Sequence, residues 1–407
     1  MKTKLIVIAW RNLWRNKRRT LITMASIVFS VFFASVMRSL QEGSYDKMID
    51  NLVKFYTGYV QVQDSGYWNE KTLDNTIEED TSLSRLTEKL PDVLLVTPRI
   101  EGYGLAASKD KSKPVLVLGI DPEKEDKIIK LSRKIIKGSA VNDSDEAVMI
   151  AEGLAGYLDL QTGDTLVIIS QGYHGVSAAG KFPVKAIFRH PSPEFNNRMI
   201  FCNLKTAQAF FYLGNKVTSQ VVMVKDHYKV AHIKHFIEKH IPETLRVMTW
   251  DEMQPEMDSM IKGDRAGGIV MLLVLYLVIG FGIFGTAMMM INERKKEFGV
   301  VNSIGMTKTE INLVLLIETF LLGIIGVIAG LIITIPVIWY FYLNPVPLTG
   351  DMAKAMIEYG LEPFYFVSVK SSIFLNQGGI ILILCFIVSC FSMISVGRMK
   401  MIDALRS

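Results

Sequence analysis

Four long apolar stretches divide the chain, at about residues 20–40, 267–291, 311–342 and 378–396. About 20 apolar residues in a helix suffice to cross a bilayer, so each stretch is long enough to form a membrane-spanning helix. Residues 41–266, between the first and second stretches, have the mixed composition of an ordinary globular domain. The pattern therefore predicts a membrane protein with four spans and one large domain outside the bilayer.

The first apolar stretch permits two interpretations. A removable signal peptide would also begin with basic residues, but no clean small-x-small cleavage pattern follows, and three later spans favour a retained anchor. Residues 4–19 place Trp10 and Trp14 four apart, which predicts an amphipathic helix at the membrane surface; the alternative is a merely basic flank. Arg38, near the far end of the span, is expected to reach the interface through its long stem.

The net charge of +5 comes from residues beside the spans. Residues 41–266 hold 28 Lys and Arg against 32 Asp and Glu, whereas residues 1–19 and 292–310 are basic. Cytoplasmic loops carry the excess of positive charge, so these segments and both termini are expected in the cytoplasm of a bacterium, with a periplasmic large domain. The same distribution argues against a nucleic-acid partner.

The predicted parts follow in chain order. They are a cytoplasmic amphipathic helix (1–19), the first span (20–40), a periplasmic α+β domain (41–266), the second span (267–291), a cytoplasmic segment (292–310), the third span (311–342), a short periplasmic loop (343–377), the fourth span (378–396) and a cytoplasmic tail (397–407). The large domain holds one cysteine, Cys202, and therefore no internal disulfide.

Local patterns predict the elements of the large domain. Strands are expected at 57–63, 93–100, 115–120, 165–170, 182–188 and 219–224, and helices at 83–90, 122–137, 151–158, 204–213 and 229–241. The helix of the first span is expected to continue through about Lys54. The helix of the second span is expected to begin near Asp251, outside the apolar stretch.

The segment Asn292–Ile311, here called the inter-span segment, mixes basic and apolar residues in the order NERKKEFGVVNSIGMTKTEI. This pattern predicts a short amphipathic helix on which another protein docks, with Gly305 at its end. Its apolar residues are Phe298, Val300, Val301, Ile304 and Met306.

The third span contains glycines and one acidic residue. Gly323, Gly326 and Gly330 include a small-xxx-small pair that predicts close helix packing, although glycine is also simply common in membrane helices. Glu318 is either a functional intramembrane carboxyl or a side chain that reaches the nearby interface.

Two motifs resemble catalytic or ligand sites. Gly175–Lys181 matches G-x-x-x-x-G-K, but Phe182 replaces the Ser or Thr that a phosphate-binding loop needs for Mg²⁺. The four histidines between 227 and 240 are interleaved with lysines and are interpreted as a solvated helix face. No catalytic, cofactor or metal site is therefore predicted, and any ATP is expected on another chain.

The most specific motif is ERKKEFGVVNSIGMT, Glu293–Thr307. It resembles the E-R-x-x-E-[FI]-G-x-[LM]-[RK]-A-[IL]-G pattern of the MacB/LolC/LolE/FtsX (type VII) permeases of ABC transporters, with Asn302 and Ser303 as departures. The chain resembles these permeases end to end. The segments Thr97–Ile100, Gly119–Pro122, Glu152–Ala155 and Gly163-Asp164 resemble the LolC/LolE branch most.

The resemblance implies a non-catalytic permease that docks on a separate ATPase and forms a dimer with a second, identical or different, permease chain in membrane lipid. The coupling residues implied are Glu293, Arg294, Lys295, Lys296, Glu297, Phe298, Gly299, Ile304 and Gly305. ATP hydrolysis would then drive periplasmic work by mechanotransmission, foremost the release of lipoproteins, with a lipoprotein and a periplasmic carrier as further partners. The alternatives are FtsX-like regulation of a cell-wall hydrolase and MacB-like efflux of amphiphiles. Exposed-loop candidates for substrate contact are Tyr67, Trp68, Tyr173 and His174, each of which could equally pack within the domain.

Overall fold

The computed structural model describes residues 2–15, 17–79, 81–358 and 363–397. The predicted tail lies outside these residues except for Gly397. The described helices are α1 Lys2–Arg15, α2 Lys17–Leu52, α3 Tyr67–Glu70, α4 Thr81–Glu88, α5 Pro122–Ile129, α6 Glu152–Leu158, α7 Pro193–Asn196, α8 Leu204–Phe211, α9 Val230–Glu238, α10 Trp250–Met253, α11 Pro255–Glu293, α12 Lys295–Ser303, α13 Lys308–Leu343, α14 Gly350–Glu358 and α15 Ser371–Gly397. The described strands are β1 Val60–Asp64, β2 Ile77–Glu78, β3 Val93–Ser108, β4 Lys111–Ile120, β5 Ile135–Gly138, β6 Val148–Ala151, β7 Thr165–Gln171, β8 Ser177–Phe188, β9 Met199–Asn203, β10 Lys216–Val217, β11 Ser219–Val224, β12 Leu245–Thr249, β13 Val346–Pro347 and β14 Phe364–Tyr365.

The chain divides into two compact units. The membrane unit comprises residues up to Asp46, Met260–Pro347 and residues from Phe364 onward, and the large domain comprises Lys47–Ser259 with Leu348–Pro363. Both boundaries between Asp46 and Met260 fall inside long helices, α2 and α11.

Among the described residues, four helices of the membrane unit are long and apolar enough to cross a bilayer: Thr20–Thr57, Pro255–Glu293, Lys308–Leu343 and Ser371–Ile394. They share one core: α2, α11 and α15 each contribute buried side chains three, four or seven residues apart, and α13 contributes Val327. Its buried members are Ile27, Val31, Ala34, Leu272, Tyr276, Ile283, Ala287, Val327, Ile381, Cys385 and Val388. This spacing places them on one face of each helix.

Helix α1 packs along the third span through one face only. Leu5, Ala9 and Leu13, spaced four apart, are buried, and Leu5 and Ala9 share a cluster with Val314 of α13. Trp10 and Trp14 lie on the exposed side with their rings in edge-to-face contact, 6.0 Å between centroids. The predicted amphipathic helix is thus present, and it presents its indoles outward.

The large domain is built on a mixed sheet of ten strands within the described residues. Its order is β12-β1-β11-β3-β4-β9-β6-β8-β5, and β7 pairs with both β3 and β8. Both faces of the sheet are covered, as β4 illustrates. Val115 and Val117 enter one core with α6 and α8, whereas Leu116, Leu118 and Ile120 enter the other with α5 and α7. Alternate residues of a strand point to opposite faces, so residues 115–118 of β4 form one continuous apolar run.

The chain enters and leaves the large domain at one edge of this sheet. Strand β1 pairs antiparallel with the edge strand β12, in a register that places Val60 opposite Thr249. Next to this pair, the Trp250 backbone N–H donates to the carbonyl of Tyr59 at 2.9 Å. The strands that follow α2 and precede α11 are therefore joined by backbone hydrogen bonds.

Most of the predicted strands are confirmed, and several elements differ. The helix predicted for 122–137 is wrong beyond Ile129, because Lys130 adopts a left-handed backbone (φ 52°) and residues 135–138 pair with β8 as strand β5. Strand β3 runs to Ser108, past the predicted end at Ile100. Strands β6, β9 and β12 were not predicted, because they are four or five residues long and too short for a clear alternation. Helix α11 begins at Pro255, since Gln254 leaves the helical backbone region.

Candidate functional site on the inter-span segment

The inter-span segment folds as the predicted short helix, α12. Gly305 follows the helix with a φ of +111°, in the backbone region that glycine adopts without strain, and so ends it as expected. Thr307 then caps α13: its hydroxyl accepts from the Glu310 backbone N–H, and the Glu310 carboxylate accepts from the Thr307 N–H at 2.8 Å. This capping box is present in the sequence and marks the start of the third span.

One face of α12 is buried against the spans. Phe298 is 5% exposed and packs with Ile291, Ile311, Leu315 and Val396. Its ring therefore fills the core of its own chain, and the predicted role of Phe298 in coupling stays a prediction. Gly299 is buried as well.

Arg294 is also buried rather than offered to a partner. Its guanidinium donates to Glu318 Oε2 at 2.8 Å and to Glu297 Oε2 at 3.1 Å. It also lies over the ring of Phe298, 5.3 Å from the centroid. The charge of Arg294 therefore holds the start of α12 to the third span.

Glu318 is a buried, paired carboxylate, an arrangement that neither sequence interpretation describes. Its side chain is fully buried, so it does not reach the interface, and its charge is matched by Arg294. A carboxylate in a span is costly unless it is paired. Glu318 is thus one half of an ion pair that ties the inter-span segment to α13.

The ion-pair chain continues to α1. Glu297 accepts from Arg294 and also from Arg15 at the end of α1. Partial burial raises the pKa of Glu297, but the two guanidinium groups outweigh this effect and lower it below its usual value. The series Glu318, Arg294, Glu297 and Arg15 therefore joins α13, α12 and α1.

Helix α12 and the residue that follows it also expose apolar side chains. Ile304 is 82% exposed, and Val300 and Val301, one turn earlier, are exposed too. Lys296, Glu293, Glu297 and Gly305 also lie on the surface, and Lys295 is half-buried. Between α1 and α12 runs a cleft of about 470 Å³ lined in part by Ile8, Asn12, Lys296, Val300 and Val301.

The surface formed by Val300, Val301 and Ile304 is here called the α12 ridge. Of its members, Ile304 was among the predicted coupling residues. Val300 and Val301 are apolar residues of the inter-span segment that the prediction does not include among the coupling residues. They lie four and three residues before Ile304, a spacing that places them beside it on a helix. Exposed apolar residues on an amphipathic helix are typical of a protein contact.

The glycines of the third span lie at helix contacts within the membrane unit. A Cβ on Gly326 would stand 2.7 Å from Cγ2 of Ile27, and one on Gly330 would stand 2.8 Å from Cβ of Val31, both on α2. A Cβ on Gly323 would meet Cβ of Cys385 on α15 at 3.2 Å. Arg38 pairs with Glu42, one turn along α2, and its predicted reach to the interface stays a prediction.

The aromatic candidates of the large domain divide by exposure. Tyr67 is buried, and its hydroxyl donates to the Glu101 carbonyl at 3.5 Å. Trp68 is half-buried beneath the ammonium of Lys71, which lies 3.5 Å from its ring centroid. Tyr173 is half-buried and accepts from Lys216, whereas His174 is exposed. Tyr67 is therefore a packing residue.

Searched for metal ligands, the described ranges yield no group of three or more His, Cys, Asp or Glu that could hold an ion. The histidines of α9 and its flanks form no such group within them. The G-x-x-x-x-G-K match lies across the β7–β8 hairpin, with Lys181 and Phe182 inside strand β8. No helix follows it, so it lacks the loop-to-helix geometry of a phosphate-binding loop.

Four apolar helices that pack together, with a large α+β domain between the first and second, define the class of multi-pass membrane proteins with one inserted domain. Two family models match the chain: the MacB-like periplasmic core domain at residues 20–239, and the FtsX-like permease C-terminal domain at residues 269–400. The first alone covers more than half of the chain. The chain belongs to the family of MacB-like and FtsX-like ABC transporter permeases, which confirms the predicted family and fold class.

Individual relatives are distant. The lipoprotein-releasing system transmembrane protein LolC of Neisseria meningitidis serogroup B is 19% identical over 79% of this chain and 77% of the relative. LolC of Xylella fastidiosa (strain 9a5c) is 20% identical over 61% of this chain, and the match spans 62% of that relative, less than two thirds of its length. Among solved structures, the periplasmic region of MacB from Actinobacillus actinomycetemcomitans is similar over 52% of this chain and 98% of that chain, with 14% identity and a TM-score of 0.36.

Proposed function

We propose that this chain is the permease subunit of a mechanotransmission ABC transporter in the bacterial inner membrane, with both termini in the cytoplasm. A separate ATPase docks on the α12 ridge, binds and hydrolyses ATP, and drives work by the large domain in the periplasm. The observation that carries the proposal is the α12 ridge itself. It is an exposed apolar surface held rigid from behind by Phe298 and the Arg294–Glu318 pair.

The ridge fits a partner that offers an apolar groove. Val300, Val301 and Ile304 project from one short helix, the arrangement that helix-in-groove recognition uses. Phe298 and the Arg294–Glu318 pair hold α12 to the spans, so force applied to the ridge is resisted by ion pairs and core packing rather than by a mobile loop. Lys296, beside the ridge, offers a cation to the rim of the contact.

Two helices provide the route for movement. Helix α2 extends to Leu52 and α11 begins at Pro255, so both run beyond the apolar stretches at 20–40 and 267–291. A continuous helix passes on rotation or tilt with little loss, since its backbone hydrogen bonds resist bending. The large domain would thus follow the spans when the ATPase closes.

A second permease chain, identical or different, would complete the assembly. Span α11 has the lowest buried share of the four described spans, 22%. Gly280, Gly282 and Gly285 on it have open space where a Cβ would be. Lipid or a partner span would cover this side of α11, and glycine lets a partner helix approach closely.

The work proposed for the large domain is the release of lipoproteins from the inner membrane, delivered to a periplasmic carrier. It is supported by relatives named as parts of lipoprotein-releasing systems. Purification of the permease with its ATPase from native membranes, followed by mass spectrometry, should recover a lipoprotein. Recovery of a cell-wall hydrolase instead would favour the FtsX-like alternative. If neither protein is recovered and the complex exports an amphiphile, the MacB-like alternative would be favoured.

The docking surface is tested by Ile304→Asp, which places a charge where an apolar groove is expected. We expect co-purification of the ATPase to fall at least about tenfold, because burying an unpaired carboxylate costs several kcal/mol. Ile304→Val keeps the apolar contact and should retain the ATPase, and Phe298→Asp should instead unfold the inter-span region. Full ATPase association with Ile304→Asp would show that docking occurs elsewhere.

A further inference from the structure

A buried ion pair lies in the large domain, away from the α12 ridge. Arg99 on β3 is 2% exposed and Glu125 on α5 is fully buried. The guanidinium Nε is 3.2 Å from Glu125 Oε2, and Nη2 donates to Oε1. A buried pair rarely stabilises a fold more than apolar residues of the same size would, so its other contacts indicate what it does.

Those contacts are to the end of the first-span helix. Arg99 Nη1 donates to the carbonyl of Tyr56 at 2.6 Å, and Nη2 donates to the carbonyl of Lys54 at 3.3 Å. Both carbonyls belong to Val53–Thr57, the π-helical turn that continues α2. Carbonyls at the C-terminal end of a helix lack intrahelical partners and carry partial negative charge, which a cation satisfies.

The same turn is embedded in the domain core. Val53 and Thr57 are fully buried, and Phe55 packs in the core on the α5 face of the sheet. Its ring also meets the imidazole of His190, 4.6 Å between centroids. The end of α2 is therefore held by apolar packing, by the guanidinium of Arg99 and by the Tyr56 hydroxyl, which donates to Glu101 Oε1 at 2.7 Å.

The chemistry requires arginine at this position. A guanidinium offers five donors in a planar fork and can hold a carboxylate and two carbonyls at once. Glu125 faces the fork from α5 and orients it, since two nitrogens of Arg99 contact its two oxygens. A lysine ammonium would keep the charge but lacks the fork that spans all these acceptors.

We propose that Arg99 is the positioning residue that couples α2 to the sheet of the large domain, with Glu125 holding its guanidinium in place. The proposal rests on the proposed function, in which movement of the spans drives the large domain. Movement of α2 would pass through the carbonyls of Lys54 and Tyr56 to Arg99, and from there to β3 and α5.

The test separates coupling from stability. Arg99→Met alone would leave Glu125 buried and unpaired, so the main variant is Arg99→Met/Glu125→Leu, which replaces the pair by apolar side chains. Lys185→Met is the matched control, because it removes the Lys185–Asp145 ion pair from the same domain without touching the turn. Each full-length protein is reconstituted with its ATPase in lipid nanodiscs. Spin labels replace Ile136 and Tyr342, both exposed, for distance measurement with and without ATP and vanadate.

We expect wild type and Lys185→Met to show a nucleotide-dependent change in distance, and Arg99→Met/Glu125→Leu to lose more than half of it. The double variant should keep the unfolding midpoint of wild type. The ATPase rate of its complex should stay within about twofold of the wild-type rate. An equal distance change in the double variant and wild type would overturn the role of Arg99 while leaving the proposed function intact. Absence of any change in wild type would overturn the proposed function, and the inference would fall with it.

Discussion

Glu318 illustrates how one partner decides the role of an ionisable residue in a span. In the sequence it is a lone carboxyl among apolar residues, 24 positions after Arg294. In the structure the two form an ion pair; Glu318 is fully buried and Arg294 is 8% exposed. Removing Arg294 would take this counter-charge away from the fully buried Glu318, which costs more than the intact pair contributes, whereas removing Glu318 would leave Arg294 paired with Glu297.

His190 is a second residue whose surroundings determine its chemistry. It is 4% exposed, and its ring lies between Phe55 and Phe195. Its Nδ1 accepts from the Ser192 backbone N–H at 3.0 Å. The pKa of His190 is lowered to about 3 because burial and, to a smaller extent, the nearby Lys134 outweigh the Ser192 carbonyl contact, which raises it. The imidazole is therefore neutral in the folded domain.

This environment predicts a pH dependence of stability. A histidine in an unfolded chain titrates near pH 6.5. Below that pH the unfolded chain therefore binds a proton that the folded domain does not bind. The contribution of neutral His190 to the free energy of unfolding is complete above pH 6.5 and is lost as the pH falls towards 3. At pH 5 the loss is about 2 kcal/mol. Labelling of buried Cys202 by 4,4′-dithiodipyridine, quantified by mass spectrometry, reports opening of the domain.

The difference between wild type and His190→Gln isolates this contribution. When the pH falls from above 6.5 to 5, the open fraction of the wild-type domain should increase by a factor roughly 30-fold larger than that of His190→Gln. This factor corresponds to the loss of about 2 kcal/mol. Identical pH profiles for the two proteins would mean that His190 is not held neutral by burial.

At the scale of elements, packing of the third span against the first depends on two glycines. Gly326 and Gly330 face Ile27 and Val31, with no space for a methyl group. Gly280 on α11 has no heavy atom of another element within 4 Å of where a Cβ would lie. The two kinds of glycine look alike in the sequence, so substitution should distinguish them.

Gly326→Ala should destabilise the membrane unit by about 1–3 kcal/mol, because the added methyl would overlap Ile27. Gly280→Ala should have no cost or a gain of up to about 1 kcal/mol, since alanine is the better helix former. Thermal unfolding of both variants in detergent measures the two effects. Equal midpoints would show that α2 and α13 do not pack through Gly326.

The short strands of the large domain also belong to this scale. Residues 135–137 fall within the helix predicted for 122–137, but residues 135–138 form strand β5. It forms a strand because β8 offers an unpaired edge to it, and β8 is about 50 residues away in the sequence. Pairing between distant segments is not encoded in a local pattern, so such strands are the ones that sequence reasoning misses.

For the whole molecule, orientation in the membrane is the property to test first. Ser144 lies on the surface of the large domain, and Ser303 lies on α12; both are exposed. Each is replaced by cysteine in a chain whose Cys202, Cys385 and Cys390 are alanine. An impermeant maleimide should label Ser144→Cys in intact spheroplasts and Ser303→Cys only after permeabilisation, because basic segments stay in the cytoplasm. The reverse pattern would overturn the proposed topology.

Before any three-dimensional structure, the sequence determined the four spans, the inserted domain, the inter-span helix with its end at Gly305, and the family. These follow from local properties: the length of an apolar stretch, the spacing of residues along a helix, and a motif. Each can be summed or matched along the chain without knowledge of what lies opposite.

The tertiary structure decided which face of α12 is buried. Phe298 and Ile304 are both apolar, but Phe298 fills the core with Leu315 and Ile311, whereas Ile304 is exposed. It also supplied the partners of Glu318 and Arg99, which lie 24 and 26 residues away along the chain. A charged side chain holds two elements together only when packing brings its counter-charge within hydrogen-bond distance in a buried site, and that is a property of the fold.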